Sequence, residues 1–218
     1  MTTGIIGVGQ IGSAVAEHLV AGNEPVVLAA KSESAADELA ERLGERARPA
    51  PVVDAISEAD AIVLAVPFDA IKELIGTYSS QLAGKVVIDP SNPITADGKG
   101  GFVRTLPDGV SAGSGIAELL PPDAHYVKAF GTISAVSLAS AANRTPERAV
   151  LFYAADDDRA GSVAERLISA AGFEPVKVGG IDQTLRIEVF GDLHEVGGLE
   201  GRLLDADEAR AAIAAAEA

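Results

Sequence analysis

The stretch Gly4-Ile5-Ile6-Gly7-Val8-Gly9-Gln10-Ile11-Gly12-Ser13 constrains this chain more than any other. A short apolar run leads into Gly7-x-Gly9-x-x-Gly12, and a segment of helical spacing, Ser13 to Ala21, follows. In that setting each glycine has its own task. Gly7 permits a tight turn out of a strand, and Gly9 lets the main chain approach a pyrophosphate with no Cβ in the way. Gly12 lets the new helix lie close on the sheet. The free N–H groups and the dipole at the helix start then favour phosphate. The pattern predicts a strand–turn–helix unit that binds a dinucleotide, with Gly7, Gly9, Gln10, Ile11 and Gly12 against the cofactor. Taken alone, the motif is also compatible with an ordinary glycine-rich turn. The strand signal that follows the helix argues against that.

From there strand and helix signals alternate. Pro25 to Ala30 is a continuous apolar run, as in a parallel strand covered on both faces. NAD-specific sites place an acid about twenty residues beyond the glycines, on the ribose hydroxyls. Here the positions read Ala30-Lys31-Ser32, a small residue, a cation and a hydroxyl that suit a 2′-phosphate, so NADP is the expected cofactor. Ser34 to Leu43 has helix spacing with Ala35, Leu39 and Leu43 inward, and Gly44 ends it. Pro51-Val52-Val53 reads as a short third strand and Asp54 to Ala59 as a brief helix. Ala61 to Pro67 reads as a fourth strand closed by a proline that cannot donate to a ladder. A helix opens at Phe68.

Val86-Val87-Ile88 is the fifth strand, followed by the stiff corner Asp89-Pro90-Ser91-Asn92-Pro93 at its carboxyl end, where open α/β sheets bind ligands. Residues 94–113 read as a long glycine-rich loop, either covering a substrate or forming a surface excursion. Helix Ser114–Leu120, strand Tyr126–Phe130, helix Ile133–Ala142 and strand Ala149–Ala154 come next. Asp156-Asp157-Asp158 then opens a helix that runs to Gly172, where capping is favoured over calcium binding. Glu174 to Val178 is the last strand. The fold class expected is α/β: a doubly wound, mainly parallel, Rossmann-type sheet with a short helical C-terminal tail. Residues 1–180 are expected to form the nucleotide-binding domain. Residues 181–218 are expected to form a tail, with Ile181–Val189 as one helix and Asp205–Ala218 as another, that completes the site or a dimer interface.

Composition narrows the partners. The 218 residues carry a net charge of −15, which argues against nucleic acid and anionic membrane, since both need a basic footprint. The chain has no cysteine, which excludes disulfides, thiolate nucleophiles and cysteine-ligated metals. His18, His125 and His194 are far apart with no ligand spacing, so no metal is expected. The first strand begins close to Met1, which predicts no signal peptide and a cytoplasmic protein.

Several stretches together resemble one family. Gly7-Val8-Gly9-Gln10-Ile11-Gly12, Ala30-Lys31-Ser32, Ala65-Val66-Pro67, Asp89-Pro90-Ser91-Asn92-Pro93 and Lys128-Ala129-Phe130-Gly131-Thr132-Ile133 occur in the order and spacing of the F420-dependent NADP reductase family. Gly172-Phe173-x-Pro175, Val178-Gly179 and Arg186-x-Glu188 extend the likeness, which covers roughly residues 4–189. The resemblance implies NADP over the glycine turn, with Lys31 and Ser32 on its 2′-phosphate and Ala65-Val66-Pro67 along the cofactor. It further implies a deazaflavin, coenzyme F420, as co-substrate near Asn92, Pro93 and Thr132. The expected partners are this small-molecule co-substrate and a second copy of the chain.

Hydride transfer between two ring carriers asks the protein mainly to stack the rings and exclude water. Reduction of a small imine or ketone would also need a proton donor. His194, in a glycine-flanked loop, is the first candidate, followed by Tyr126, then His125 and Lys128; His18 reads as an exposed helix residue. A non-catalytic dinucleotide-binding module is the third possibility. An F420 site, with its anionic tail, would call for a local cationic patch, for which Lys99, Arg104 and Lys128 are the candidates.

Overall fold

Ten strands and nine helices form along residues 1–215, the part of the chain that the computed structural model describes. They run β1 (Thr3–Ile6), α1 (Gln10–Ala21), β2 (Val26–Ala29), α2 (Glu33–Leu43), β3 (Ala47–Pro49), α3 (Val52–Glu58), β4 (Ala61–Leu64) and α4 (Phe68–Leu82). Then follow β5 (Val86–Asp89), β6 (Ile94–Ala96), β7 (Phe102–Arg104), α5 (Ala112–Leu119), β8 (His125–Lys128), α6 (Ala135–Ser140), β9 (Val150–Ala154) and α7 (Asp158–Ala170). β10 (Glu174–Gly179), a 3-10 turn (Ile181–Gln183), α8 (Thr184–Ile187) and α9 (Ala206–Ala215) complete the described chain. The last three residues of the expected terminal helix lie outside the described residues.

Eight strands make one sheet in the order β3-β2-β1-β4-β5-β8-β9-β10. The first six are parallel to their neighbours, the arrangement of a doubly wound dinucleotide fold. The last two depart from the all-parallel alternation: β9 meets β8 antiparallel at Lys128 and Ala154, and β10 runs parallel to β9. Strands buried on both faces need apolar residues at every position, which explains the unbroken runs. Ile5, Leu28, Val63, Ile88 and Val127 face a core with α1, α2 and α7. Ile6, Val27, Ile62, Leu64 and Val87 face a second core with α3, α4 and α5. The far end of the sheet is covered by the tail, where Val150, Phe152 and Val178 pack with Ile187, Leu193, Leu204 and Ala209.

Several sequence readings are corrected. The third strand is Ala47–Pro49, and Val52 and Val53 instead open α3. Pro51 caps that helix with its carbonyl, which accepts from the amides of Asp54 and Ala55. Ala55, Ile56 and Ala59 are buried, Val52 is half-buried at helical spacing from them, and Val53 is exposed. In α2 the deepest residues are Ala36, Leu39 and Ala40, with Ala35 and Leu43 half-buried. Residues 94–113 are not a structureless loop. β6 and β7 pair antiparallel around a turn in which Asp97 accepts the amides of Lys99 and Gly101, and α5 starts at Ala112, earlier than read. These two amides hold the Asp97 carboxyl below its ordinary value. Ile181–Val189 is a 3-10 turn and one short helix, after which Glu188 is extended. His18 is half-buried; its Nε2 lies 2.8 Å from the Leu138 carbonyl and its ring sits edge-on to Phe173. Asp157 caps α7, and Asp156 accepts from the Ile181 amide.

Among the described residues no helix is long and apolar enough to cross a membrane. One close approach far from the ligand-binding rim offers a test of the packing. A Cβ at Gly22 would sit 2.1 Å from the Ala170 carbonyl oxygen, where α1 and α7 end against each other. Gly22→Ala should therefore cost about 1–3 kcal/mol in urea unfolding, as overpacking does, with ligand affinity retained.

Candidate active site

The chain leaves β1 toward one side of the sheet and returns through β4 toward the other, so a crevice opens between their carboxyl ends. A cleft of about 770 Å³ lies there. Gly9, Gln10 and Ile11 line it from the start of α1, and Ala65, Val66 and Pro67 from the turn after β4. Pro90, Ser91 and Asn92 follow from the corner after β5, with Gly131 and Ile133 to Val136 from the corner after β8. The hairpin adds Ile94, Gly101 and Phe102, and the tail adds Val189, Phe190, His194 and Val196.

The glycine turn separates into packing positions and an open one. Gly7 has φ +101°, and a Cβ on it would lie 2.3 Å from the Ala65 carbonyl oxygen. A Cβ on Gly12 would lie 1.9 Å from the Gly7 carbonyl oxygen. Gly9 is different: an added Cβ would meet nothing within 4 Å, so the space beside it belongs to the cleft. α1 begins at Gly9 with no side-chain cap and no acid in its first turn. The first amides of a helix have no intrahelical acceptor, so this end offers donors and a positive dipole to an anion. The residues present fit the diphosphate of a dinucleotide.

Lys31 and Ser32 lie beyond the cleft lining, exposed after the end of β2. Ser32 is the N-cap residue of α2 yet makes no capping bond; its Oγ lies 3.0 Å from Ser34 Oγ. Glu33, exposed, opens the helix. Pro93 is buried, and its carbonyl accepts from the Thr105 amide at the base of the hairpin.

Opposite the glycine turn, the corners after β5 and β8 interlock because Asp89 and Lys128 are register partners. A Cβ on Gly131 would lie 2.4 Å from the Pro90 carbonyl oxygen. The Gly131 carbonyl accepts from Asn92 Nδ2 at 2.9 Å and from His194 Nε2 at 3.1 Å. Asn92 Oδ1 in turn accepts the Val189 amide at 2.7 Å, which ties the tail to the corner. Beneath, Asp89 accepts from the Tyr126 hydroxyl at 2.8 Å, from Lys128 at 2.9 Å and from the Ser91 amide at 2.7 Å. Lys128 also donates to the Ser91 carbonyl. Two hydroxyls here, Ser91 Oγ and Thr132 Oγ1, are buried without a partner among the described residues. Buried polar atoms are rarely left unpaired; Ser91 borders the cleft, whereas Thr132, expected at the site, is buried outside its lining.

His194 is 3 % exposed. Its Nδ1 accepts the Val196 amide at 3.0 Å, which leaves the proton on Nε2, where it is donated to Gly131. Burial pushes its pKa down to about 4. The side chain borders the cleft as a neutral imidazole with both nitrogens engaged. Glu195 accepts from the Ser134 amide and the Ser137 hydroxyl, clamping the tail onto the start of α6.

Other proposed donors are placed elsewhere. Tyr126 is buried in the core against Asp89, and burial holds its hydroxyl well above the usual tyrosine value. It does not line the cleft. His125 sits at the opposite, amino end of β8 beside Asp157. Lys128 is fully buried on Asp89, and Arg104 bonds the buried Glu188 at 3.1 Å, so neither forms an open cationic patch; Lys99 is exposed in the hairpin turn. Sequence reading missed the hairpin wall, although Asp97-Gly98 between short β-forming runs is a hairpin signal. It also left Glu188 without a role. That carboxylate accepts from Arg104, Ser111 and the amides of Ala112 and Gly113, which joins the hairpin, α5 and the tail.

Sheet order, glycine turn and rim cleft together define a Rossmann-type dinucleotide-binding domain of the kind used by nicotinamide-dependent oxidoreductases. Residues 2–93 match the family model of coenzyme F420-dependent NADP oxidoreductases. The F420-dependent NADP reductase of Methanothermobacter marburgensis is 29% identical over 195 residues, covering 84% of this chain and 85% of that one. The crystal structure of a hypothetical protein from Sinorhizobium meliloti superposes with a TM-score of 0.82 at 30% identity, covering 95% of this chain and 96% of that one. A putative F420-dependent NADP reductase from an Arthrobacter species shares the fold, with a TM-score of 0.71 at 19% identity, covering 83% and 86% of the two chains. The chain is thus similar to F420-dependent NADP reductases, which are NADP-dependent oxidoreductases: it matches their family model over residues 2–93 and one curated member over most of its length.

His194 gives the site a pH signature. Its value falls from 6.5 to about 4 on folding, so between these limits the unfolded chain binds a proton that the folded chain refuses. Stability is then present in full above pH 6.5 and drains away as the pH falls toward 4, by roughly 3 kcal/mol in total. Urea midpoints at pH 7 and pH 4.5 should show this slope in the native protein. In His194→Gln, which is less stable at pH 7, the slope should be much reduced.

Proposed function

We propose that this protein transfers hydride between NADP(H) and a flat ring co-substrate, a deazaflavin of the coenzyme F420 type. The observation that carries the reading is the chemistry of the cleft lining. Its one titratable side chain, His194, is neutral with both ring nitrogens occupied, and most of the remaining wall is apolar. Such a lining offers no acid to a carbonyl or imine, whereas exchange between two ring carriers needs stacking and a dry site. The nicotinamide ring, when bound, supplies the hydride.

In this reading the amides of Gln10, Ile11 and Gly12 hold the diphosphate. Lys31 and Ser32 meet the 2′-phosphate, and Ala65, Val66 and Pro67 run along the cofactor. Ser91, whose hydroxyl is unpartnered, and Asn92 serve the nicotinamide end, with Thr132 and Pro93 buried outside the lining. His194 and Asn92 hold the Gly131 carbonyl and thereby the floor on which the second ring rests. Residues 1–180 act as the nucleotide-binding unit, and residues from 181 onward complete the pocket within the same subunit.

Mixing the protein with NADPH and oxidised F420 should bleach the deazaflavin absorbance as NADPH is consumed; an unchanged spectrum with NADPH bound would remove the deazaflavin reading. Cofactor choice has its own test. Lys31→Glu should raise the Kd for NADPH by about tenfold or more, equivalent to ~1.4 kcal/mol, while that for NADH changes little. Equal effects on both would mean that Lys31 does not meet the 2′-phosphate.

A further inference from the structure

Among the described residues, five that are not glycine have φ between +50° and +68°: Asn23, Phe130, Asn143, Phe190 and Glu200. Asparagine tolerates this left-handed region, whereas a bulky side chain is strained in it. Phe130 offsets the strain by complete burial in the core. Glu200 is exposed in a turn outside the cleft lining. Phe190 differs from all of these: it lines the rim cleft and is 47% exposed, so burial offsets little of its strain.

The surrounding main chain holds it in that state. A Cβ on Gly191 would lie 2.3 Å from the Arg186 carbonyl oxygen. One on Gly197 would lie 2.2 Å from the Gly191 carbonyl oxygen and 2.9 Å from Phe190 Cα. The amides of Gly191 and Gly198 donate to the carbonyls of Glu188 and Gly191 at 2.8 and 2.9 Å. On the other side, Asn92 accepts the Val189 amide. The chain is pinned before and after Phe190, and relaxing its φ would break this knot of close contacts. A strained residue kept by its surroundings at the wall of a cleft points to a use for its side chain.

We infer that Phe190 is a contact residue for the co-substrate: its ring is a fixed apolar plate against which the flat acceptor ring packs, while NADP(H) is held without it. The contacts assigned to NADP(H) all come from the first half of the chain, whereas Phe190 enters the cleft from the tail. Contact between aromatic rings adds attraction beyond area burial. A plate that is already immobile also gives up little conformational freedom when the ring arrives. This rests on the hydride-transfer reading above and names a residue that serves its acceptor.

The test compares Phe190→Tyr, Phe190→Leu and Phe190→Gly with the wild type. It uses NADPH affinity, urea unfolding, and fluorescence titration of oxidised F420 onto NADP-saturated protein. Tyrosine keeps the plate, leucine keeps apolar bulk without it, and glycine removes both ring and strain. The Leu and Gly variants should bind F420 about five- to tenfold more weakly, with the Kd for NADPH unchanged, and the Tyr variant should bind as the wild type does. Phe190→Gly should unfold at a urea midpoint equal to or above that of the wild type, because glycine meets no steric penalty at φ +68°. A purely structural role would not yield a variant that is no less stable yet poorer in acceptor binding. Unchanged F420 affinity in Phe190→Gly, an equal loss of NADPH affinity, or a midpoint well below wild type would overturn the inference and leave hydride transfer standing. F420 that binds in a Phe190-dependent way but is not reduced by NADPH would remove hydride transfer and keep the ring contact. No binding of F420 to the wild type would remove both.

Discussion

Contact between two main-chain segments governs this molecule. Gly7 leaves β1 against the carbonyl of Ala65, and Gly12 brings α1 down onto the carbonyl of Gly7, at separations where any Cβ would collide. That double approach fixes where the helix begins, and the helix start is where unpaired amides and the positive dipole end are concentrated. The anion site is thus a by-product of how tightly two strands and a helix can be packed. Only Gly9, with open space beside it, is free of this packing demand.

The opposite side of the cleft is built by a different principle. Here the Gly131 carbonyl gathers hydrogen bonds from Asn92, after β5, and from His194, in the tail, while Asn92 also receives the Val189 amide. The buried Asp89–Lys128 pair with Tyr126 supports this corner from below. Buried ion pairs contribute little net stability, because desolvation offsets their attraction, but losing one partner is costly. Their effect here is to fix the corner after β5, which lines the cleft with Pro90, Ser91 and Asn92.

The sequence was most readable where a short-range rule decides the outcome. The glycine turn, the apolar runs of β1, β2, β4 and β5, and the parallel α/β class all follow from spacing within a dozen residues. Val52 and Val53 misled because an adjacent β-branched pair reads as a strand, whereas in α3 only Val52 is half-buried and Val53 is exposed. β6 and β7, three residues each, were too short to stand out from a glycine-rich stretch. The site was harder still. His194 drew notice by its surroundings, but its neutrality comes from burial under residues distant in sequence, which no local pattern reveals. Tyr126 and Lys128 looked available because nothing local reveals that Asp89 stands beside them; only the β5–β8 register brings the three together.

One carboxylate has a wider consequence. Glu188 is completely buried and grips the hairpin through Arg104, the start of α5 through two amides, and Ser111. Pulling Arg104 away would leave this carboxylate without its cation in a dry interior, which costs far more than losing an exposed bond. Hairpin, α5 and tail are therefore latched into a single rigid panel. Phe102 and Phe190, which line the cleft, are thus carried by segments joined through one carboxylate.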